Sequence, residues 1–340
     1  MKRSVKFALI VSIIVSMCLF TFAGSALAVK KQGDKVILKM AHVNPPGSPT
    51  DMAAKKLVDM VAKGTDGKVV IKIFPNEQLG AEKAALEGVM LGTIDCSLND
   101  AAYLADLYPP MGVLDFPYTY KGFDHYGKMV SSDVFQELSA AMEKEIGFKV
   151  IAPFLFGRRM LCSNKPIYTA ADADGVKIRT PGSELAMENA RVLGGVPTTI
   201  SYTEAYMGLK QGVADAAENP FTGIYDMKWY EVTKYLVVTE HVWNNEILSI
   251  SKKAWKAMTP DQQKVFQKAG IEAAVYRMEI QKKLEDQRVN DLRDLGMHVI
   301  YPASLDPFRA LAGDIEKKYR TNYKSSDWGT WHDRVMGLAK

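Results

Sequence analysis

Short apolar runs alternate along this chain with longer segments in which apolar residues recur every three or four positions. Residues 36–41 (Val-Ile-Leu-Lys-Met-Ala) read as a buried strand that ends in the turn-rich Asn44-Pro45-Pro46-Gly47-Ser48-Pro49. Over residues 50–62, Met52, Ala53, Leu57, Met60 and Val61 form one stripe at helical spacing, and Gly64-Thr65-Asp66-Gly67 stops the helix. Residues 69–74 are the next strand. Gln78-Leu79-Gly80, a helix over 81–91 and a short strand over 94–98 complete a strand–helix–strand–helix–strand series. That spacing is the signature of a mostly parallel, doubly wound sheet.

The second half repeats the theme. Residues 148–154 form a strand placed at a crossover between domains, and 176–179 form another. Ser183 caps a helix that Gly194-Gly195 ends, and Ser201-Tyr202-Thr203-Glu204 reads as a capping box for a helix ending at Gly212. Residues 236–251 are a β-rich return segment. Thr259-Pro260-Asp261-Gln262 supplies an N-cap, a proline at the first helical position and a capping-box glutamine. Almost nothing breaks helix from there to Leu295, where Gly296 offers a stop and Gly270 a bend. Some 35 residues at about 1.5 Å each outrun a single small domain. A coiled-coil partner is the alternative, but the heptads are irregular.

The first 28 residues have a positive start (Lys2, Arg3, Lys6), an apolar stretch and Ala26-Leu27-Ala28, the pattern of a secretory signal peptide cleaved after Ala28. An uncleaved anchor is the alternative. Three of the 43 Lys and Arg residues and none of the 39 Asp and Glu residues fall there, which leaves 40 against 39. So even a balance argues against a nucleic-acid binder. No later run is apolar enough to cross a membrane, so the exported protein is expected to be soluble. About 310 residues without a Gly/Ser/Pro linker imply two domains joined by crossing strands. Cys96 and Cys162 are compatible with one disulfide or with two buried thiols. The five histidines show no zinc spacing, and no cofactor is implied. A nucleophile elbow, a phosphate loop, a dinucleotide fingerprint and His-Glu-x-x-His are all missing, and Glu285-Asp286 on the long helix reads as a solvated face, so an enzyme is disfavoured.

Candidate chemistry concentrates between residues 157 and 220. Gly157-Arg158-Arg159-Met160-Leu161, Gly175-Val176-Lys177-Ile178-Arg179-Thr180-Pro181-Gly182-Ser183 and Asp215-Ala216-Ala217-Glu218-Asn219-Pro220 place two arginine sites and an asparagine at strand ends or turns. A guanidinium holds a carboxylate through two parallel charge-assisted bonds, and an amide adds a donor. Arg179 stands at a strand's carboxyl end before a helix start, where open α/β sheets bind anions. Arg158 and Arg159 are neighbours in extended backbone, so only one reaches a given face.

These segments resemble the solute-binding subunits of tripartite ATP-independent periplasmic (TRAP) transporters, over nearly the whole chain after the signal. The resemblance implies a two-lobed α/β binding protein with doubly wound mixed sheets, crossover hinge strands and a long helix spanning both lobes. It implies lobes of 29–156 plus 245–284 and of 157–244 plus 285–340. It makes Arg179 the main carboxylate clamp. Arg159 becomes the second arginine, aligned through Ser163-Asn164-Lys165-Pro166-Ile167, with Arg158 a solvated or hinge residue, and Asn219 a third ligand position. Asp100 falls where sialic-acid-binding relatives place an acid, and Tyr202 on a pocket wall. The implied partners are a small organic acid and the membrane permease subunits of a TRAP transporter.

The first domain is expected to add Asn44, Gln78, Glu82 and Asn99-Asp100, all at strand ends, although such residues commonly cap helices. Phe156, Phe221 and Trp243 are candidate walls or core, and Asn244 and Asn245 candidate polar contacts near the return crossover. An acid at 100 repels a second anion but accepts hydrogen bonds from hydroxyls. The expected ligand is therefore a hydroxylated monocarboxylate such as a sugar acid. A C4 dicarboxylate and a binding protein of an ATP-driven importer are the alternatives.

Overall fold

A computed structural model of the chain describes residues 30–339; the expected signal peptide and its expected cleavage position lie outside the described residues. The first half begins with a hairpin of β1 (Lys30–Gln32) and β2 (Lys35–Ala41), followed by α1 (Pro49–Gly64), β3 (Val69–Phe74), α2 (Glu82–Leu91) and β4 (Cys96–Asp100). Ser48 caps α1 by accepting from the Asp51 amide at 3.3 Å. Ala53, Ala54, Leu57 and Val61 face the sheet, whereas Met52 of the expected stripe is exposed. A helical segment without strands follows: α3 (Ala101–Ala105), α4 (Phe123–Ser131) and α5 (Asp133–Ile146).

Next come the long strand β5 (Lys149–Ser163), β6 (Lys177–Thr180), α6 (Glu184–Val192), β7 (Val196–Thr199), α7 (Ala205–Lys210), β8 (Ala216–Pro220), α8 (Phe221–Asp226) and the second long strand β9 (Tyr235–Ile250). The chain closes with α9 (Lys252–Ala257), α10 (Pro260–Asp294), β10 (His298–Ile300), α11 (Asp306–Asn322) and α12 (Trp328–Gly337).

The ten strands among the described residues form one hydrogen-bonded sheet in the order β1-β2-β4-β9-β5-β8-β6-β7, with β3 on β2 and β10 on β9. Each half has the same local arrangement. Parallel β2 lies between β3 and β4, as parallel β6 lies between β7 and β8. The two halves meet through β5 and β9, which run antiparallel along their lengths with three register shifts. The carboxyl ends of β4 and of β6 and β8 thereby converge, and ligands of open α/β sheets bind outside such ends.

The helix α10 starts and stops where its local signals predict. Thr259 and Gln262 make a reciprocal capping box, Pro260 is at the first position, and the helix runs 35 residues before Gly296. At Gly270 an added Cβ would stand 2.5 Å from Ile151 Cγ2, so this glycine lets the helix lie close on β5. The expected solvated face at Glu285-Asp286 is corrected at Glu285. Its side chain is 1% exposed and accepts from the Arg158 amide at 3.1 Å and Nε at 2.5 Å. Arg277, Gln281 and Glu285, four residues apart, form a buried polar seam over the crossover at Gly157. The expected capping box at 201–204 is also absent: α7 begins at Ala205, and the Ser201 hydroxyl donates to Glu204 Oε2 at 2.7 Å instead. Cys96 and Cys162 are free and buried, and burial raises both thiols.

Candidate functional site: a charged cavity between the two halves

Between the converging strand ends lies a cavity of about 290 Å³. It has space for roughly ten water molecules. Arg159 from β5, Arg179 from β6, Asn219 from β8 and Tyr202 line one side. Glu82, at the start of α2, Asp100, at the end of β4, and Glu246, from β9, line the other.

The two arginines differ in how they are held. Arg159 is 4% exposed, and Glu218 engages it bidentately through Nε and through Nη2 at 2.8 Å, while Nη1 donates to Asn244 Oδ1 at 2.6 Å. Burial opposes its charge, but Glu218, with Asp100 and Asp115, more than offsets burial and raises its pKa. His241 Nε2 stands 3.5 Å from the same Glu218 carboxylate. Arg179 is 2% exposed and has no carboxylate partner among the described residues. Its Nε donates to the Ile200 carbonyl at 2.9 Å, and its Nη1 is buried without a hydrogen-bond partner. Tyr202 and Trp229 flank the guanidinium, with ring centroids 5.7 and 5.6 Å from Cζ. Burial, then the neighbouring Arg159, lower its pKa. An unpaired, desolvated donor costs free energy unless an anion meets it.

Asn219 is fully buried. Its Nδ2 donates to the Tyr202 hydroxyl at 3.2 Å and its Oδ1 is unpartnered. Gly223 makes this possible, since any Cβ there would collide with the Asn219 amide. Burial raises the acids opposite: Asp100 to about 6, Glu246 to about 7, and Glu82 well above its ordinary range, with Asp100 next to it adding like charge. The α2 N-terminus adds to this wall, with Ala81, Glu82 and Lys83 in the lining and no side chain capping the helix.

Three hydrogen bonds tie the halves across the cavity mouth. Thr203 Oγ1 donates to Glu77, the Gly182 amide to the Tyr103 hydroxyl at 2.8 Å, and the Glu184 amide to Asp106 Oδ1 at 3.0 Å.

Of the residues singled out from the sequence, Arg159, Arg179, Asn219, Asp100, Tyr202, Glu82 and Phe156 share this cavity. The others do not line it. Asn44 lies behind Glu246 and donates to its Oε1; Gln78 is exposed on the adjoining turn; Asn245 points away, binding Asp115 Oδ1 at 3.0 Å and the Tyr126 hydroxyl at 2.7 Å. Asn99 holds the Glu82 carbonyl at 2.9 Å. Arg158 faces the opposite side of β5, paired with Glu285 and with Glu240 at 2.7 Å. Phe221 and Trp243 are core. Sequence reasoning missed Glu246, Tyr103 and Glu77. Glu246 did carry a signal: it is the one ionisable residue between Val242 and Ile250, within a β-rich segment.

A two-lobed α/β protein with converging guanidiniums over a carboxyl-lined cavity belongs to the class that closes around small organic anions. The chain is a member of the bacterial extracellular solute-binding protein family 7, whose profile matches residues 40–322. It is similar to the sialic acid-binding periplasmic protein SiaP of Vibrio cholerae serotype O1, 29% identical over 285 residues, covering 84% of this chain and 88% of that one. It is likewise similar to the 2,3-diketo-L-gulonate-binding periplasmic protein YiaO of Escherichia coli K12, 29% identical over 299 residues and 88% of each chain. Among solved structures, the TRAP periplasmic solute binding protein of Actinobacillus succinogenes 130Z with bound L-galactonate superposes with a TM-score of 0.82 at 30% identity, over 89% of this chain and 99% of that one. The fold is thus that of TRAP solute-binding proteins, whose role is transport. No helix among the described residues is long and apolar enough to cross a membrane.

Proposed function

We propose that this protein, exported and cleaved after Ala28, captures a hydroxylated monocarboxylate of the sugar-acid class and delivers it to the permease subunits of a TRAP transporter. The observation that carries the reading is the asymmetry of the cavity. Arg179 has a buried guanidinium nitrogen with no partner, and Glu82, Asp100 and Glu246 face it. The ligand carboxylate meets Arg179, with Asn219 and the Glu218-braced Arg159 beside it. The acids opposite accept from hydroxyls and repel a second carboxylate. Sialic acid, diketogulonate and galactonate, named for the relatives above, all belong to this chemical class.

The lobes are 29–156 with 245–284 and 157–244 with 285–340, and β5 and β9 hinge them. Ligand that touches both favours the closed arrangement by its differential affinity, and the contacts from Thr203, Gly182 and Glu184 complete the closure. Transfer to a permease, rather than chemistry on the ligand, follows capture. The test is a thermal-shift and calorimetry screen of hexonates and uronates against succinate, malate and fumarate. Stabilisation by sugar acids is expected; stabilisation by the dicarboxylates alone would overturn the reading.

A further inference from the structure

Asp100 and Glu246 are directly opposite each other on the antiparallel strands β4 and β9. Side chains so placed share one face of the sheet, with Cβ atoms about 4.5–5.5 Å apart, and like charges there oppose folding. This pair is also buried, at 8% and 2% exposure, and both members line the ligand cavity. Neither has a cation to itself. Glu246 accepts from two neutral donors, Asn44 Nδ2 and Thr50 Oγ1, the latter at 2.6 Å. The cation nearest Asp100 among the described residues is Arg159, 4.0 Å away and already engaged by Glu218. The other charged groups that bear on the pair are the acids Glu82, Asp115 and Glu218 and the cations Arg179 and Arg277, and Glu77 and Lys83 also line the cavity. Acids outnumber free cations around the cavity before any anion enters.

We propose that Asp100 and Glu246 act as a single acid pair holding one proton in common, and that this proton allows the cavity to admit a hydroxylated monoanion while the pair's remaining charge refuses a second carboxylate. The ligand half of this statement rests on the sugar-acid reading above; the pair itself does not. Two close carboxylates do not both ionise readily in a desolvated site. Burial raises both groups; Asp100 adds to the rise of Glu246, and Glu218 to that of Asp100. An arriving carboxylate raises the pair further, so capture takes up a proton.

Both halves are testable on the full mature chain. Without ligand, the folded pair keeps a proton that the unfolded chain loses near the ordinary carboxylate range. The associated stability is present at low pH and is lost as pH rises through about 6 to 7. Melting temperature between pH 5 and 8 should therefore fall more steeply in wild type than in Glu246→Gln or in Asp100→Asn. The double variant should flatten the profile no more than either single one. Additive effects of the two substitutions would show independent groups and overturn the pair.

With ligand, calorimetry with L-galactonate at about pH 8, above the titration of the ligand-free pair, in buffers of different ionisation enthalpy should report uptake of about one proton in wild type and none in either variant. Affinity should weaken about tenfold per pH unit above the pair's titration in wild type only. Binding without proton uptake would overturn the ligand half. If L-galactonate does not bind while the ligand-free profiles behave as stated, the sugar-acid reading fails and the acid pair stands.

Discussion

Replacing Arg179 with lysine tests the division of labour in the cavity, because it keeps the charge and removes the fork. In the structure Nε is committed to the Ile200 carbonyl at 2.9 Å, which leaves the buried Nη1 for the proposed ligand carboxylate. A lysine ammonium is a point donor on a flexible stem and cannot hold both groups in that geometry. One charge-assisted hydrogen bond is lost, about 1.5–3 kcal/mol. That corresponds to roughly 10- to 150-fold weaker binding. The scaffold should change little. Losing the bond to Ile200 costs about 1 kcal/mol, a fall of some 3 °C or less in Tm. Isothermal titration with the sugar acid that stabilises the protein most gives the affinity, and a melt of the free variant gives the control. Affinity within about twofold of wild type, at an intact Tm, would refute the assignment of Arg179 as the clamp.

Three further outcomes follow from the fold and the titrations. Gly157→Ala should destabilise by about 3 kcal/mol or more, since its φ is +140° and a Cβ would stand 2.8 Å from Pro220 Cβ and collide with the Gln281 amide; a denaturant midpoint equal to wild type would contradict this. Glu285→Ala should cost about 2–3 kcal/mol by chemical denaturation, at or below the low end for a broken buried pair because Arg158 retains Glu240. His42, which burial lowers from 6.5 to about 4 against the pull of Asp51, contributes stability that is full above its unfolded pKa and is lost as pH falls through about 4. A His42→Gln variant should therefore lose less stability than wild type between pH 6.5 and 4, and a parallel profile would remove His42 from the account.

Local signals are decisive at α10, though not at 201–204, where the expected capping box does not form. The capping box, first-turn proline and terminal glycine of α10 act within a few residues, so its limits were legible in the sequence. The opposite directions of Arg158 and Arg159 also needed only extended backbone. Misreadings occurred where a partner distant in sequence decides. Glu285 looked solvated because its neighbours on the helix are polar, yet β5 lies over it and Arg158 meets it. Sequence alone points to Asn245 and not to its neighbour Glu246, because it lacks the register. Strand side chains alternate with period two, so a shift of one residue decides which of the pair faces the cavity, and that register comes from pairing with β4 and β5. Asn44 sits at a strand end where a ligand contact is expected, but Glu246, some 200 residues away in the chain, takes its amide.

The sequence by itself determined the alternation of strands and helices, the long capped helix and the residue types able to hold an anion, because propensity, capping and periodicity act over one or two turns. Tertiary structure alone decided which of those residues share the cavity and in what state. The Glu218 brace on Arg159, the bare nitrogen of Arg179 and the facing acids Asp100 and Glu246 arise only when two separately wound halves bring their strand ends together and exclude water. Desolvation then turns ordinary side chains into a selective site, and desolvation is a property of the packed molecule rather than of any segment.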